Sequence, residues 1–569
     1  MQVWRINTRT QAFTKEAVPQ SWERLGGRSL LSKILVEEVN PKCDPLGAEN
    51  KLIFAPGLLV GHNLSSCDRV SVGGKSPLTG GIKESNAGGR TGLQLVRLGI
   101  KVLILEDLPQ GDGWWTIHLS TDGVKFESAD EFAGMGVFEA SPLLLERYGD
   151  KTAMALIGPG GEMQMKAAGI QNLDKDKVPS RIAARGGLGA VMGSKKIKAI
   201  VIDGTQGEKP PVADAEGLKE ARKAYLKALM DHPQTQAYHD YGTAAMTMMC
   251  DTFGALPTRN FSSGTYEHAQ KLSGEHLRDT ILKRGGDCDP SHPCMAGCTI
   301  QSSNIFVTLD GGTKVSPLEY ETIGLMGSNL GIDDLDAIAR MNYETNDIGL
   351  DTIDIGAALG VATDAGLMTF GDGERALELI GEIRQGTEIG RVLGDGAAAT
   401  GKAYGIERVP VAKGQAFSAY DPRAIKGTGI TYATSPQGAD HTCGLTIRAN
   451  VDHRDPKGQK KLSYDAQLNM AGYDTLGACI FAGFGYAADK AVIPALLNSI
   501  YGWEAGVNSL QDLGKQSLML EREFNKGAGF TKKDDRLPEW MTKEALSPHN
   551  SVFDVAEEDL DSVFEWEGE

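Results

Sequence analysis

Eight cysteines in 569 residues are too few for a disulfide scaffold, and they fall at uneven intervals (43, 67, 250, 288, 294, 298, 443 and 479). Domains that depend on disulfides carry them far more densely, so these thiols are read as reduced and the compartment as the cytoplasm. No run approaches the ~18 apolar residues of a membrane helix. The start, Met1-Gln-Val-Trp-Arg-Ile-Asn, lacks the apolar stretch of an export signal. Cations are also short: 58 Lys and Arg stand against 75 Asp and Glu, a net charge of −17. So acidic a surface repels a phosphate backbone, which argues against nucleic acid as a partner.

What is present is ordinary globular material, 41% hydrophobic, with glycine abundant at 71 residues. At ~100–200 residues per domain, the length suggests roughly three or four domains. Short apolar runs bounded by turn residues mark the first 205 residues: Lys51-Leu-Ile-Phe-Ala, Lys101-Val-Leu-Ile-Leu, Ala153-Met-Ala-Leu-Ile and Lys198-Ala-Ile-Val-Ile. That is the signature of strands. After Gly207-Glu-Lys-Pro-Pro the period changes to helical, with Asp214 as an N-cap for a helix to Met230. Helices are also predicted over Asp333–Asn346, Asp354–Ala365 and Glu374–Gln385. A second boundary falls near Val411-Ala-Lys-Gly, ahead of a Gly- and Thr-rich stretch at 419–449. The expected fold is α+β, a β-rich domain 1–207 followed by two mainly helical domains, 208–413 and 414–569. The acidic end from Glu557 reads as a solvated tail or surface helix.

The sharpest local signal is Cys288-Asp-Pro-Ser-His-Pro-Cys294-Met-Ala-Gly-Cys298. Three thiols within eleven residues, separated by Pro and Gly, can wrap a loop around one metal centre. A [4Fe–4S] cluster needs a fourth thiolate from elsewhere, and by spacing Cys443 and Cys479 are equal candidates. Zinc fits the spacing nearly as well, since His292 lies within the motif. Buried cysteines acting as small hydrophobes are the bland alternative. Glycine-rich stretches at Gly73-Gly-Lys-Ser-Pro-Leu-Thr-Gly-Gly and Arg185-Gly-Gly-Leu-Gly-Ala-Val-Met-Gly-Ser-Lys could offer backbone N–H groups to phosphate, though neither is a full nucleotide fingerprint. The acids of Glu319-Tyr-Glu321 share a face if the segment is extended, and otherwise serve as a solvated or capping pair.

Several blocks together resemble the aldehyde ferredoxin oxidoreductase family of tungsten enzymes. They are Lys75-Ser-Pro-Leu-Thr-Gly, Ser85-Asn-Ala-Gly-Gly, Arg185-Gly-Gly-Leu-Gly-Ala-Val-Met-Gly-Ser-Lys, Glu319-Tyr-Glu-Thr, Gly349-Leu-Asp-Thr-Ile, Ala419-Tyr-Asp-Pro-Arg, Tyr432-Ala-Thr-Ser and Asp474-Thr-Leu-Gly-Ala-Cys. They stand in the family's order and span nearly the whole chain. The resemblance implies a β-rich domain seating two pterins around tungsten or molybdenum, with helical domains enclosing them and Mg2+ as a further ion bridging the pterin phosphates. Arg69, Asn86, Gly88, Arg181, Ala184, Arg185, Asp351 and Asp474 match pterin-contacting positions. Arg forks and backbone N–H groups suit phosphates, and carboxylates suit ring N–H donors. The resemblance selects Cys479 over Cys443, so Cys288, Cys294, Cys298 and Cys479 are the implied ligands of one [4Fe–4S] cluster. Glu321 and His441 match the two ionisable residues beside the metal, a base for water and a proton carrier.

The chain departs from the family pattern in three places. Ser291 stands where the first cysteine is expected, with Cys288 three residues earlier on a longer loop. Arg340 and Leu377 replace an interface iron's Glu and His, which implies no such iron and leaves a dimer open. Cys443 and Asn346 replace a Lys and an Asp near the pterins. The implied reaction is oxidation of an aldehyde to its carboxylic acid, with electrons leaving to ferredoxin or an iron–sulfur subunit. A low-potential tungsten aryl-CoA reductase acting on an acyl substrate is the rival within the family. A non-catalytic iron–sulfur or zinc-binding interaction protein is the rival outside it.

Overall fold

The structure, a computed structural model, describes residues 1–565; the last four residues of the acidic tail lie outside them. Two six-stranded mixed sheets fill the first 202 residues. Strands β1 (Gln2–Asn7), β2 (Ala12–Ala17), β3 (Leu52–Pro56), β4 (Val70–Lys75), β5 (Ile82–Ala87) and β6 (Ile100–Glu106) form the first, in the order β2-β1-β6-β3-β4-β5. Strands β7 (Trp115–Ser120), β8 (Gly123–Ser128), β9 (Ala153–Leu156), β10 (Ile170–Asn172), β11 (Arg181–Ala183) and β12 (Ile197–Ile202) form the second, in the order β11-β10-β9-β12-β7-β8. In each sheet one pair is parallel, β1 with β6 and β7 with β12.

The four apolar runs read from the sequence are β3, β6, β9 and β12, and their unbroken apolar character has a packing cause. Trp4, Ile6 and Phe54 of the first sheet share a core with Ile117, Leu119 and Ile200 of the second. The helix Gly27–Glu38 covers the outer face of the first sheet, and Val137–Tyr148 that of the second. A strand buried on both faces has no polar alternation to show.

From residue 215 the chain is mainly helical. Asp214 accepts from the Gly217 N–H and starts Ala215–Asp231 as expected. Asp351 caps Thr352–Asp364 through the N–H groups of Ile353 and Asp354, so this helix begins two residues before its predicted start. The acidic end gives one helical turn, Glu557–Asp561, ahead of the undescribed residues. Between the helices a small sheet, β13 (Asp289–His292), β14 (Ser303–Val307) and β15 (Lys314–Val315), carries the cysteine loop between its first two strands. No single helix among the described residues is long and apolar enough to cross a membrane.

The first region docks on the C-terminal helices by direct backbone contact. Leu58 and Leu59 N–H groups donate to the Thr475 and Leu476 carbonyls, and Arg69 N–H to that of Gly477. A Cβ on Gly57 would stand 2.0 Å from the Gly477 nitrogen, and one on Gly27, which has φ +43°, 2.1 Å from the Asp474 carbonyl oxygen. Only glycine allows so close an approach. Beside this seam Arg28, 1% exposed, reaches Glu521 at 2.7 Å and Asp474 at 3.1 Å. Removing one partner of a buried pair strands the other charge and costs about 3–5 kcal/mol. Arg28→Met should therefore lower the thermal unfolding midpoint measurably, and an unchanged midpoint would mean the seam does not depend on this contact.

Candidate active site

Every position matched to pterin or catalysis lines one cavity of about 370 Å³ between the sheets and the helical regions. At one end, Glu321 and His441 meet across 120 residues of chain, with His441 Nε2 3.3 Å from Glu321 Oε1. The segment Glu319-Tyr-Glu321 is not extended. Glu319 is the N-cap residue of the helix Tyr320–Met326, and Glu321 lies in its first turn. The two acids therefore point to different partners. Glu321 accepts from the Ala419 N–H at 2.9 Å, while Glu319 accepts from Ser303 Oγ at 3.0 Å. His441 is held by Ser418, whose hydroxyl lies 2.9 Å from Nδ1.

Asp440, just before His441, fixes the short turn that presents the imidazole and accepts from the Thr442 N–H. Lys83 Nζ lies 3.0 Å away, with both side chains buried. Burial opposes ionisation here, yet Lys83, Arg185 and His441 outweigh it and hold the Asp440 carboxyl far below the usual range. Arg185 is similarly absorbed into the wall. Its Nε meets Asp351 at 3.2 Å, and Nη2 meets Asp354 at 3.3 Å. The remaining donors go to the carbonyls of Ala416 and Ala439 and to Ser418.

Other polar groups on the wall lack protein partners. Arg181 uses Nη1 on Ser303 at 2.9 Å, but its Nε and Nη2 are buried without a hydrogen bond. Glu84 Oε1 is in the same state, and burial raises its carboxyl. Asp474 is raised well above the usual range by burial and by Glu84, against the pull of Arg28. Arg69 Nε donates to Asn86 Oδ1, and its Nη2 to the Asn86 carbonyl at 3.2 Å. A Cβ on Gly88 would lie 3.3 Å from Met295 and 3.5 Å from Cys294 Sγ, so a side chain there would crowd this wall. Ala184 contributes to the same wall between β11 and Arg185.

Cys294 and Cys479 also line the cavity, and Cys298 is the immediate neighbour of Cys294. The Cys294 and Cys298 thiols hydrogen-bond each other. This contact drives Cys294 up, with burial adding to it, and holds Cys298 down to about 6. Ser66 joins this group to Cys479: its hydroxyl lies 3.3 Å from Cys298 Sγ, and its carbonyl accepts from the Cys479 N–H at 2.8 Å. Cys288 stands apart. It is half-buried at the start of β13, and among the described residues no hydrogen bond joins its thiol to the other three. Ser291 turns away, donating to the His239 carbonyl at 2.7 Å. Cys443 faces Arg28, Lys83 and Asp440, and burial pushes its thiol up to about 12.

Residue spacing gave no sign of Glu84, Ser418 or the Lys83–Asp440 pair, because Glu84 leaves an atom open to the cavity and the others meet partners outside their own segment. Only the adjacency of Asp440 to His441 offered a clue. Arg340, at the position of an interface iron ligand, instead makes a 3.4 Å ion pair with Glu374.

Buried polar atoms without partners, an acid–imidazole pair and two thiols thus line one cavity. Residues 3–204 match the family description "Aldehyde ferredoxin oxidoreductase, N-terminal domain", and residues 220–568 match "Aldehyde ferredoxin oxidoreductase, domains 2 & 3". The tungsten-containing aldehyde ferredoxin oxidoreductase of Thermococcus kodakarensis is 33% identical over 93% of this chain and 89% of its own. Its Pyrococcus horikoshii counterpart is 32% identical over 96% and 91%. A Pyrococcus furiosus protein named aliphatic sulfonate oxidoreductase, WOR-like subunit, is 29% identical over 80% and 74%. Among solved structures, the active-site complex BamBC of benzoyl coenzyme A reductase aligns with TM-score 0.79 at 19% identity, covering 95% of this chain and 90% of that one, which shows a shared fold. The chain belongs to the aldehyde ferredoxin oxidoreductase family and is an oxidoreductase, so the reading as a non-catalytic interaction protein is set aside.

The buried carboxyls give the wall a pH signature. Burial and the adjacent Asp351 lift Asp354 to about 7 despite Arg185. A raised carboxyl binds its proton more tightly in the native state than in the unfolded one. Its contribution to stability is therefore full below the ordinary carboxylate range and is lost as pH rises to about 7. Asp354→Asn should flatten that part of the stability–pH curve in denaturant titrations between pH 5 and pH 8. An unaltered curve would show that Asp354 does not carry the dependence.

Proposed function

We propose that the enzyme oxidises aldehydes to carboxylic acids at a bis-pterin tungsten or molybdenum centre, passing electrons through one [4Fe–4S] cluster to ferredoxin or an iron–sulfur subunit. The observation that carries this reading is the 3.3 Å contact between Glu321 and His441 on the wall of a cavity that Cys294 and Cys479 also line. The residues present suit the cofactor. Arg181 Nε and Nη2 and Glu84 Oε1 are buried without partners, as donors and an acceptor awaiting a polar ligand would be. Asp474, whose carboxyl is raised by burial, lines the same wall and offers its oxygens toward ring N–H donors. When bound, the metal centre supplies a two-electron sink beside the substrate and the cluster a one-electron relay.

In this reading Arg69, Asn86, Gly88, Arg181, Ala184 and Asp474 contact the pterins, while Arg185 and Asp351 brace the wall behind them. A Mg2+ ion between the pterin phosphates belongs to the same reading. Glu321 takes a proton from the attacking water, oriented by the Ala419 N–H. His441, steadied by Ser418 and Asp440, receives and passes on a proton as the acid forms. One aldehyde and one water yield one carboxylic acid, two protons and two electrons. The relatives at 32–33% identity favour an aldehyde over an aryl-CoA thioester, because the benzoyl coenzyme A reductase likeness extends to fold alone.

A positioned proton-transfer group contributes ~10²–10⁴-fold in rate. Glu321→Gln and His441→Asn should each lose aldehyde-dependent viologen reduction on that scale while keeping tungsten, pterin and iron contents. Fully loaded variants with undiminished turnover would end the assignment. For the cluster, Cys479→Ser should lose iron and the reduced-cluster EPR signal, whereas Cys443→Ser should keep both. The reverse result would move the fourth ligand to Cys443.

A further inference from the structure

We propose that Asp174, Asp176 and His292 form a second metal site, for a zinc-type divalent cation, outside the cavity and independent of the reaction assigned to it. One ligand atom from each residue lies within 4.8 Å of the other two. His292 Nε2 stands 3.2 Å from Asp176 Oδ2 and 3.7 Å from Asp174 Oδ2. Ligands held ~2.0–2.1 Å from a tetrahedral zinc ion are about 3.3 Å apart, close to the two distances from His292.

The second observation is His292 itself. Its side chain is 3% exposed, yet Nε2 is buried without a hydrogen-bond partner and is aimed between the two carboxylates. A simple imidazolium link would be expected to form at least one well-directed N–H bond there. On the other side of the ring, Nδ1 is 3.6 Å from Asp289 Oδ2, beyond hydrogen-bond distance, so the carboxylate pair on the Nε2 side is the nearer one.

The carboxylates are already arranged. Asp174 Oδ1 accepts the N–H groups of Asp176 and Val178 at 2.8 and 3.0 Å, and Ser180 donates to Oδ2 at 3.1 Å. Asp176 is about half exposed, and its competing partner is the neighbouring Lys175 at 2.8 Å. An exposed pair of that kind is weak and easily displaced by a divalent ion. Three protein ligands with a water completing the shell follow from this geometry. The ion would tie the 174–180 loop, which runs into Arg181, to β13, which runs into Cys294. It would thus clamp the pterin side of the cavity to the cysteine loop.

The test uses the full-length, cofactor-loaded protein, equilibrated with zinc chloride and desalted. The expected result is one retained zinc per chain, with a zinc-edge X-ray absorption shell of nitrogen and oxygen only, at ~2.0–2.1 Å. Asp176→Ala, a surface change, should weaken zinc retention at least tenfold without altering iron or tungsten content, and His292→Gln should do the same to zinc. Absence of retained zinc, or equal retention by Asp176→Ala, would overturn the proposal. So would sulfur in the shell at ~2.3 Å, which would place the zinc on the cysteines instead.

Discussion

Arg28 is a long cation with no access to water, and two carboxylates from another part of the chain meet it. Such an arrangement contributes little net stability against an apolar substitute, because desolvating three charges offsets most of their attraction. Its value lies in what it orients. Glu521 comes from the helix Ser509–Ala528 and Asp474 from Gln459–Leu476, while Arg28 belongs to the helix lying on the first sheet. In this docking of the three helices the Arg28 guanidinium reaches both carboxyl groups at once. Asp474 lines the cavity, and Cys479 follows five residues later, so the same contact sets both the floor of the site and one of its thiols.

Two kinds of polar group line the cavity, and the difference between them is instructive. Lys83 with Asp440, and Arg185 with Asp351 and Asp354, are closed within the protein. They stiffen the wall and would gain nothing from a ligand. Arg181 and Glu84 leave buried atoms open, although burial penalises unpaired polar groups heavily. Groups of the first kind explain why the cavity keeps its shape, and groups of the second explain what it is shaped for.

Much of the fold was legible because strands buried on both faces and Asp-capped helices leave local marks. The runs at Leu52–Pro56 and Ile197–Ile202 and the cap at Asp214 depend on neighbours a few residues away. The candidate site was legible only through matching whole blocks, since the contacts that assemble it, such as Glu321 with His441 and Arg185 with Ser418, join residues far apart in the chain. At Glu319-Tyr-Glu321 spacing left two readings open, and a helix start decides between them by turning the two acids toward separate partners. Spacing was silent on Cys288, because the number of residues between thiols does not say where an irregular strand will point them. The pairing in β13 shifts register between Asp289 and His292, within the very stretch that separates Cys288 from Cys294.

Apart from Asp440, which fixes the turn carrying His441, the acid–imidazole pair is supported from one loop. Glu321 depends on the backbone of Ala419, and His441 on the hydroxyl of Ser418, so one short loop positions both. That loop is in turn held by Arg185, which bonds Ser418, the Ala416 carbonyl and the Ala439 carbonyl from the first region of the chain. The geometry at the reacting end therefore depends on the N-terminal region being seated. The reacting end and the seating of the N-terminal region are coupled through Arg185, and through Lys83 on Asp440 beside His441, rather than through the pair itself. A substitution at Arg185 would displace Glu321 and His441 together, whereas a change at either one leaves the other's partner in place.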